Sequence, residues 1–240
     1  MKLLLAILCI SFSCSTSAQS DFLKNAKEHS RKLIHLENDL SENDMKEGLT
    51  NALRNGAEYA VQKGSALNGF NENLTVRIPF PQEASKIASA LSKIGMEEQI
   101  KLFEVNMNHA AEQASKKALN IIIDAIKNMN LTDAFSILQG DDNAATNYLR
   151  NETNEFLYQS FKPVIVTSMQ EFQVAQKWNR LVTKYNSIPL TQKINPDLED
   201  YITNKAMDGL FILIAEQEQE IRLNPYARTS EILKKVFGEN

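Results

Sequence analysis

Cysteine is nearly absent from the sequence of 240 residues, which contains only Cys9 and Cys14. Both lie close to the N-terminus, so the remaining 226 residues of the chain, 15–240, carry no thiol. This excludes intramolecular disulfides, thiol catalysis and zinc–thiolate sites from that part of the protein. We therefore expect packing alone to stabilise the fold.

Long apolar runs are also missing after the N-terminus, where no segment approaches the roughly 20 residues that a transmembrane helix needs. Acidic residues outnumber basic ones, with Asp and Glu totalling 30 and Lys and Arg 26, for a net charge of −4. The sequence has no dense run of basic residues interleaved with aromatic ones. These features predict a chain without a transmembrane span and disfavour nucleic acid as a partner.

Histidine is scarce, and the sequence contains only His29, His35 and His109. Their spacing does not match a His-Glu-x-x-His metal motif, and His109 is expected to be exposed, roughly opposite the apolar stripe of its helix. The sequence also lacks the Gly-x-Ser-x-Gly elbow of serine hydrolases and a glycine-rich phosphate loop. We therefore predict no metal, no cofactor and no catalytic residues.

The first 18 residues have the pattern of a signal peptide. Lys2 precedes an eight-residue apolar run at 3–10, and Thr16-Ser17-Ala18 supplies small residues before a cleavage site. The interpretation is an exported protein, periplasmic or otherwise associated with the envelope. An alternative is a lipoprotein, because Ser13-Cys14 loosely resembles a lipid-attachment site and would anchor the chain through Cys14.

Helical periodicity covers most of the rest of the chain. Residues 19–43 are interpreted as a charged lead-in, and residues 44–238 as one helical domain in which apolar residues recur every three or four positions. We predict an all-α, bundle-like fold of eight or nine helices with short connections. Within it, we expect a break near Pro163 and a last short helix at 229–237.

Polar residues mark two predicted helix starts. Asn130, followed by Asp133, is typical of an N-terminal cap. Asp141-Asp142 suggests either paired catalytic carboxylates or a second cap, and capping is the simpler interpretation because acids oppose the helix dipole there.

One long segment, at 65–80, has no helical pattern. It ends in Val76-Arg77-Ile78-Pro79-Phe80-Pro81, where two prolines favour an extended path. Residues 65–73 are expected to be mobile, whereas the alternating apolar residues of 76–81 predict a segment whose apolar side is docked on the bundle. Arg77 either faces water or turns inward to hold a carboxylate or phosphate, which could be Asp208 or part of a ligand.

Asp208 lies in a helix that is otherwise apolar on nearly every side, so it is expected to be buried and paired. The first interpretation is a structural ion pair, with Lys205, Arg77, Arg150 or Arg228 as its partner. The second is the polar floor of a ligand pocket lined by Tyr201 and Lys205. The candidate ligand-binding residues are therefore Arg77, Tyr201, Lys205 and Asp208.

Several short strings, in their order and spacing, resemble the bacterial family called domain of unknown function 4197. The strings include Glu47-Gly48-Leu49, Val76-Arg77-Ile78-Pro79, Asp124-Ala125-Ile126-Lys127, Asp142-Asn143-Ala144-Ala145-Thr146, Asn195-Pro196-Asp197-Leu198, Lys205-Ala206-Met207-Asp208-Gly209-Leu210-Phe211 and Leu233-Lys234-Lys235-Val236-Phe237-Gly238. The resemblance implies an exported envelope protein but supplies no activity and no functional residues. Residues 116–120 lack the prolines expected from relatives, which predicts a more continuous helix there.

Two functions are consistent with the sequence. The first is a non-enzymatic envelope protein that binds a partner protein or a small ligand. The second is an enzyme acting on an envelope substrate through carboxylates such as Asp208 and Asp200. The lack of a His, Cys or Ser constellation favours the first.

Export generates the first prediction. In the native host, the mature chain should begin at Gln19, because small residues precede that position and the apolar run lies upstream. Intact-mass measurement of the exported protein tests this. A lipid-modified species beginning at Cys14, or an exported chain that keeps Met1, would contradict it.

Overall fold

A computed structural model describes residues 41–189, residues 197–224 and Lys234. The chain divides into two units, Met1–Asn43 and Asp44–Asn240, and nearly all the described residues belong to the second. The predicted signal peptide and Cys14 lie outside the described residues. So does the predicted helix at 229–237, apart from Lys234.

The described residues form eight α-helices and contain no strand. The helices are α1 (Glu42–Ser65), α2 (Ser85–Ser92), α3 (Glu97–Ser115), α4 (Ala118–Asn128), α5 (Leu131–Leu138), α6 (Ala144–Glu171), α7 (Val174–Asn186) and α8 (Leu198–Leu223). One 3₁₀ turn, Gln82–Ala84, precedes α2. The predicted all-α fold is confirmed. In the part of the chain that is described, no helix is both long and apolar enough to cross a membrane.

Three long helices, α3, α6 and α8, form the centre of the bundle, and each packs against the other two. α8 is buried on several sides. Four residues that point in different directions around it, each at most 3% exposed, show this: Leu210, Phe211, Leu213 and Ile214. α2 and α7 pack against each other and against α3, while α4 and α5 pack on α6. α1 is joined to α8 by an ion pair between Lys63 and Glu216, at 3.0 Å.

Helix boundaries agree with the sequence where local signals decide them. Asn130 and Asp133 form a reciprocal capping box at the start of α5, as predicted. α3 and α4 are separated by a single turn at Lys116 and Lys117, and the helix resumes at Ala118 within the segment where the lack of proline predicted more continuous helix.

The predicted break near Pro163 is wrong, because α6 continues through it. Proline removes one backbone hydrogen bond and crowds the preceding turn. Pro163 is exposed, whereas Phe161 and Ile165 on either side of it are fully buried. Tertiary packing therefore keeps the helix intact, and the chain turns instead at Gln173, whose φ is 54°.

Residues 66–81, here called the strap, connect α1 to α2 without forming a helix. Phe70 anchors the strap and is fully buried. Its ring lies so close to α8 that a Cβ placed on Gly209 would come within 2.5 Å of Phe70 Cε1. The expectation that residues 65–73 are mobile is therefore wrong, because their central aromatic residue inserts into the core.

The close approach of Phe70 to Gly209 predicts a specific destabilisation. Gly209→Ala should lower the free energy of unfolding by about 1–3 kcal/mol, because the new methyl group forces the Phe70 ring to move. Chemical denaturation of the purified variant measures this change.

Gly56→Ala in α1 is the matched control, since its Cβ would meet only Gln217 Cβ at an ordinary 3.6 Å. It should be neutral or stabilising by up to about 1 kcal/mol, because alanine favours helix over glycine. If both substitutions change stability equally, the contact with Phe70 does not constrain position 209.

Candidate functional site

A row of polar residues on α3 faces the strap. Glu104, Asn108 and Glu112 are spaced four residues apart and therefore lie on one side of the helix. Asn108 is fully buried, and its side-chain amide pairs with both backbone groups of Ile78. The Ile78 N–H donates to Asn108 Oδ1 at 2.8 Å, and Asn108 Nδ2 donates to the Ile78 carbonyl at 2.9 Å.

The two glutamates of this row hold the strap on either side of Asn108. Glu104 accepts hydrogen bonds from Arg77 Nη2 at 3.0 Å and from the Phe80 N–H at 3.2 Å. Glu112 accepts from the Phe70 N–H at 3.2 Å and from the Asn71 N–H at 3.3 Å. Side chains of α3 therefore satisfy strap amides that the turns within the strap leave free.

His109 lies beside this row and is not exposed as expected. Its Nδ1 is 2.9 Å from Glu112 Oε2, and its ring packs against Phe172 at a centroid distance of 5.8 Å. The side chain is only 20% exposed. The apolar stripe that guided the prediction did not include Phe172, which arrives from the end of α6.

The apolar side of the strap is docked as predicted. Val76, Ile78 and Phe80 are all at most 9% exposed. The Phe80 ring lies 5.4 Å from the ring of Phe103 and 5.8 Å from that of Trp178, measured between centroids. Arg77 points the other way and holds a carboxylate, but that carboxylate belongs to Glu104 and not to Asp208.

A second polar arrangement joins α6 to α8. On α6, four polar residues recur at intervals of four, and on α8 three do so. The α6 row is Arg150, Asn154, Tyr158 and Lys162, and the α8 row is Asp200, Asn204 and Asp208. We call these two rows the polar strip.

The rows of the polar strip are bonded at both ends. Arg150 Nη1 donates to Asp208 Oδ1 at 2.9 Å. Eight residues further along α6, the Tyr158 hydroxyl donates to Asp200 Oδ1. Lys162 Nζ donates to the Tyr158 hydroxyl at 2.7 Å and to Asp200 at 3.3 Å. The two helices therefore run antiparallel with their polar rows in register.

These contacts shift two pKa values at the Asp200 end. The hydrogen bond from Tyr158, followed by that from Lys162, lowers the pKa of Asp200. Bonds to Tyr158 and to Asp200 raise the pKa of Lys162. A lowered carboxyl pKa stabilises the folded state above the ordinary value for Asp, and that contribution is lost as the pH falls through the lowered pKa. Both groups stay charged at neutral pH.

Asp208 is not buried, which corrects the expectation from sequence. Its side chain is 46% exposed and forms an ion pair with Arg150. A second cation, Lys205, lies with its Nζ 4.0 Å from Asp208 Oδ2. Arg150 was one of the cations considered as its partner. The residues next to Asp208 on α8 are buried. Asp208 itself lies at the edge of the contact with α6, where its side chain is partly exposed to water.

The other candidate ligand residues are divided between two places. Tyr201 lies on α8 one turn before Lys205, and its hydroxyl donates to the Pro79 carbonyl of the strap at 3.0 Å. Tyr201, Lys205 and Asp208 therefore share one side of α8. Arg77 is held at α3 by Glu104 and has no hydrogen bond or ion pair with those three residues among the described contacts.

Comparison with known families gives one match. The family model described as Protein of unknown function (DUF4197) matches residues 39–238. The chain belongs to the DUF4197 family. No curated protein and no solved structure was found to match it.

Four residues of the polar strip in this DUF4197 member were not predicted from its sequence. They are Asn154, Tyr158, Lys162 and Asn204, although the four-residue spacing on α6 is visible in the sequence. That spacing shows which residues share a side of α6, but not that this side meets the acidic row of α8.

A buried carboxylate from α8 also replaces a predicted cap. Glu218 accepts hydrogen bonds from the backbone amides of Ala145 at 2.9 Å and Thr146 at 2.8 Å, in the first turn of α6. Asp141 and Asp142 are exposed, and among the described contacts neither side chain forms a hydrogen bond, so the prediction that they cap this helix is wrong. Arg222 balances the charge of Glu218 at 2.9 Å.

The geometry limits what the carboxylates can do together. Asp200 and Asp208 are eight residues apart on one helix, so they are separated by about 12 Å along its axis. In the described ranges, no three His, Cys, Asp or Glu side chains are grouped so that they could hold a metal ion. The separation of Asp200 and Asp208 exceeds the spacing of carboxylate pairs that act together on one glycosidic bond, which is at most about 9.5 Å.

Burial predicts losses of stability of different size for two polar substitutions. Asn108→Ala should lower the free energy of unfolding by about 2–4 kcal/mol, because it leaves both backbone groups of Ile78 buried without partners. Asp208→Ala should lower it by less than about 1 kcal/mol, because half-exposed ion pairs contribute little. Urea denaturation measures both, and amide exchange at Ile78 should accelerate only in Asn108→Ala.

Equal losses in the two variants would mean that Asp208 is as buried as Asn108, contrary to this structure. Unchanged exchange at Ile78 in Asn108→Ala would mean that the side-chain amide does not hold the strap.

Proposed function

We propose that this DUF4197 member is an exported bacterial envelope protein whose helical domain binds a partner protein or a small ligand and carries out no catalysis. The polar strip is the proposed binding surface, with Tyr201 and Lys205 at its border. Export is supported by the N-terminal pattern of Lys2, the apolar run at 3–10 and the small residues before Gln19.

The observation that carries the proposal is that the polar strip is both partly exposed and already held in place. The side chains of Arg150 and Asp208 are 38% and 46% exposed, and those of Lys162 and Asp200 are 35% and 45% exposed. Hydrogen bonds between the two helices fix these side chains before anything binds. Binding to a fixed surface loses less side-chain entropy than binding to a mobile one.

The buried acids support a non-catalytic role because each is occupied by the fold. Glu112 accepts two strap amides, and Glu218 accepts two amides of α6. A general acid or base needs access to a substrate proton. The alternative function, an enzyme using Asp200 and Asp208, needs two carboxylates that act on one bond, and their axial separation of about 12 Å does not favour this.

Site-specific photo-crosslinking in the native host tests the proposal. A photoreactive residue replaces Asn204, which is exposed at the middle of the α8 row. We expect a crosslinked adduct whose mass, measured after purification, identifies a protein or a small molecule. Gln99, exposed in the first turn of α3, is the matched control position and should give no adduct.

Two results would contradict the proposal. The first is the same set of adducts at Asn204 and Gln99, or none at either, which would exclude the polar strip as the binding surface. The second is conversion of an envelope component by the purified protein that an Asp200→Asn/Asp208→Asn variant cannot perform. That result would establish the enzymatic alternative.

A further inference from the structure

Basic residues are concentrated on two neighbouring helices of this otherwise acidic chain. Residues 84–96, which include α2, contain Lys86 and Lys93 and no acidic residue. Residues 172–189, which include α7, contain Lys177, Arg180 and Lys184 and again no acidic residue. α2 and α7 pack against each other, so the structure joins two basic segments that are about 80 residues apart in sequence.

The outward sides of these helices carry most of that charge. α7 buries Val174, Trp178, Leu181 and Tyr185, and α2 buries Ile87 and Leu91. Lys86, Lys93, Arg180 and Lys184 are exposed, and we call these four residues the basic face. Among the described ion pairs, none involves a residue of the basic face, whereas Arg77, Arg150 and Arg222 are each paired with a carboxylate.

The α7 part of the basic face also carries the donors of an anion site. A shallow, open region of the surface there is lined by Asn179, Arg180, Thr183, Lys184 and Ser187. These side chains offer a guanidinium, an ammonium, the Thr183 hydroxyl and an amide, and no carboxylate, while the Ser187 hydroxyl donates to the Lys184 carbonyl at 2.7 Å. Such a set can donate several charge-assisted hydrogen bonds to one phosphoryl group.

The end of α2 adds an apolar residue to the same pair of helices. Ile94 follows Lys93 directly and is 49% exposed. Gly95 after it has a φ of +79°, which turns the chain away and leaves Ile94 at a corner. Exposed cations next to an exposed aliphatic residue are suited to an interface where charged headgroups meet acyl chains.

We infer that the basic face binds the phosphoryl headgroups of anionic phospholipids, so that the domain lies on a membrane surface without spanning it. Anionic phospholipids are a class of partner separate from whatever binds the polar strip. The inference rests on the proposed export in one respect only, because export determines which membrane the domain can reach. The net negative charge of the chain does not prevent such binding, because salt screens charges beyond about 8 Å and the local cations dominate at contact.

Vesicle flotation tests the inference with protein purified from the native host, its N-terminus defined by intact mass. The protein should float with vesicles containing about one-third phosphatidylglycerol and not with pure phosphatidylcholine, and the binding should weaken as salt is raised. Arg180→Glu combined with Lys184→Glu should lower the partition coefficient by about tenfold or more, because each basic residue near an anionic leaflet contributes roughly a fivefold factor.

Lys116→Glu combined with Lys117→Glu is the matched control, since it makes the same change in net charge at two exposed lysines between α3 and α4. It should change the partition coefficient by less than about twofold. Circular dichroism and urea midpoints verify that both variants are folded, and Arg180→Gln with Lys184→Gln provides a milder second test of the same surface.

Three results would overturn the inference. One is the absence of flotation with the anionic vesicles at low salt. Another is an equal loss in the control pair, which would make net charge rather than the basic face responsible. The third is complete release by inorganic phosphate at constant ionic strength, which would identify free phosphate as the ligand. Because only variants with a common N-terminus are compared, none of these outcomes depends on the export or crosslinking results.

Discussion

The side chain of Asn108 makes the hydrogen bonds on which the position of the strap depends. Turns within the strap satisfy some of its backbone groups, but those of Phe70, Ile78 and Phe80 are bonded to side chains of α3. Without Asn108 and the carboxylates of Glu104 and Glu112, these groups would lose their partners. With these bonds made, Phe70 can fill the space above Gly209 and Phe80 can pack on Trp178. The apolar contacts between the strap and the bundle therefore require a polar row inside the interface.

The same solution recurs at the start of α6, where the first amides are satisfied by Glu218 of α8. A helix N-terminus offers free N–H groups and a partial positive charge, so a buried carboxylate can be held there as an anion. Glu112 and Glu218 thus contribute to stability through backbone contacts, and Arg222 completes the pairing of Glu218. The backbone donors that Glu112 and Glu218 meet explain why these acids are buried.

Local patterns predicted much of the fold, and long-range contacts account for the errors. Periodicity indicated the helices, Asn130 and Asp133 indicated the cap of α5, and the alternation in the strap indicated its buried side. Asp208 was expected to be buried because the residues around it are apolar. The sequence does not show how far a neighbouring helix covers α8, so it could not show that Asp208 lies at the exposed edge of that contact. The cap supplied by Glu218 lies 72 residues from Thr146, a separation at which spacing carries no information.

Whether a cation is already paired with a carboxylate determines which kind of molecule its surface can attract. In the polar strip, Arg150 and Lys162 already face carboxylates, so an incoming anion would have to compete with Asp208 and Asp200 for them. Neutral hydroxyl and amide groups can bond to the remaining lone pairs and donors of the strip without breaking those pairs. Arg180 and Lys184 are hydrated and face no carboxylate among the described residues, so an anion gains their full attraction. The separation of paired from unpaired cations therefore supports two different proposals, a polar neutral partner at the polar strip and an anionic one at the basic face.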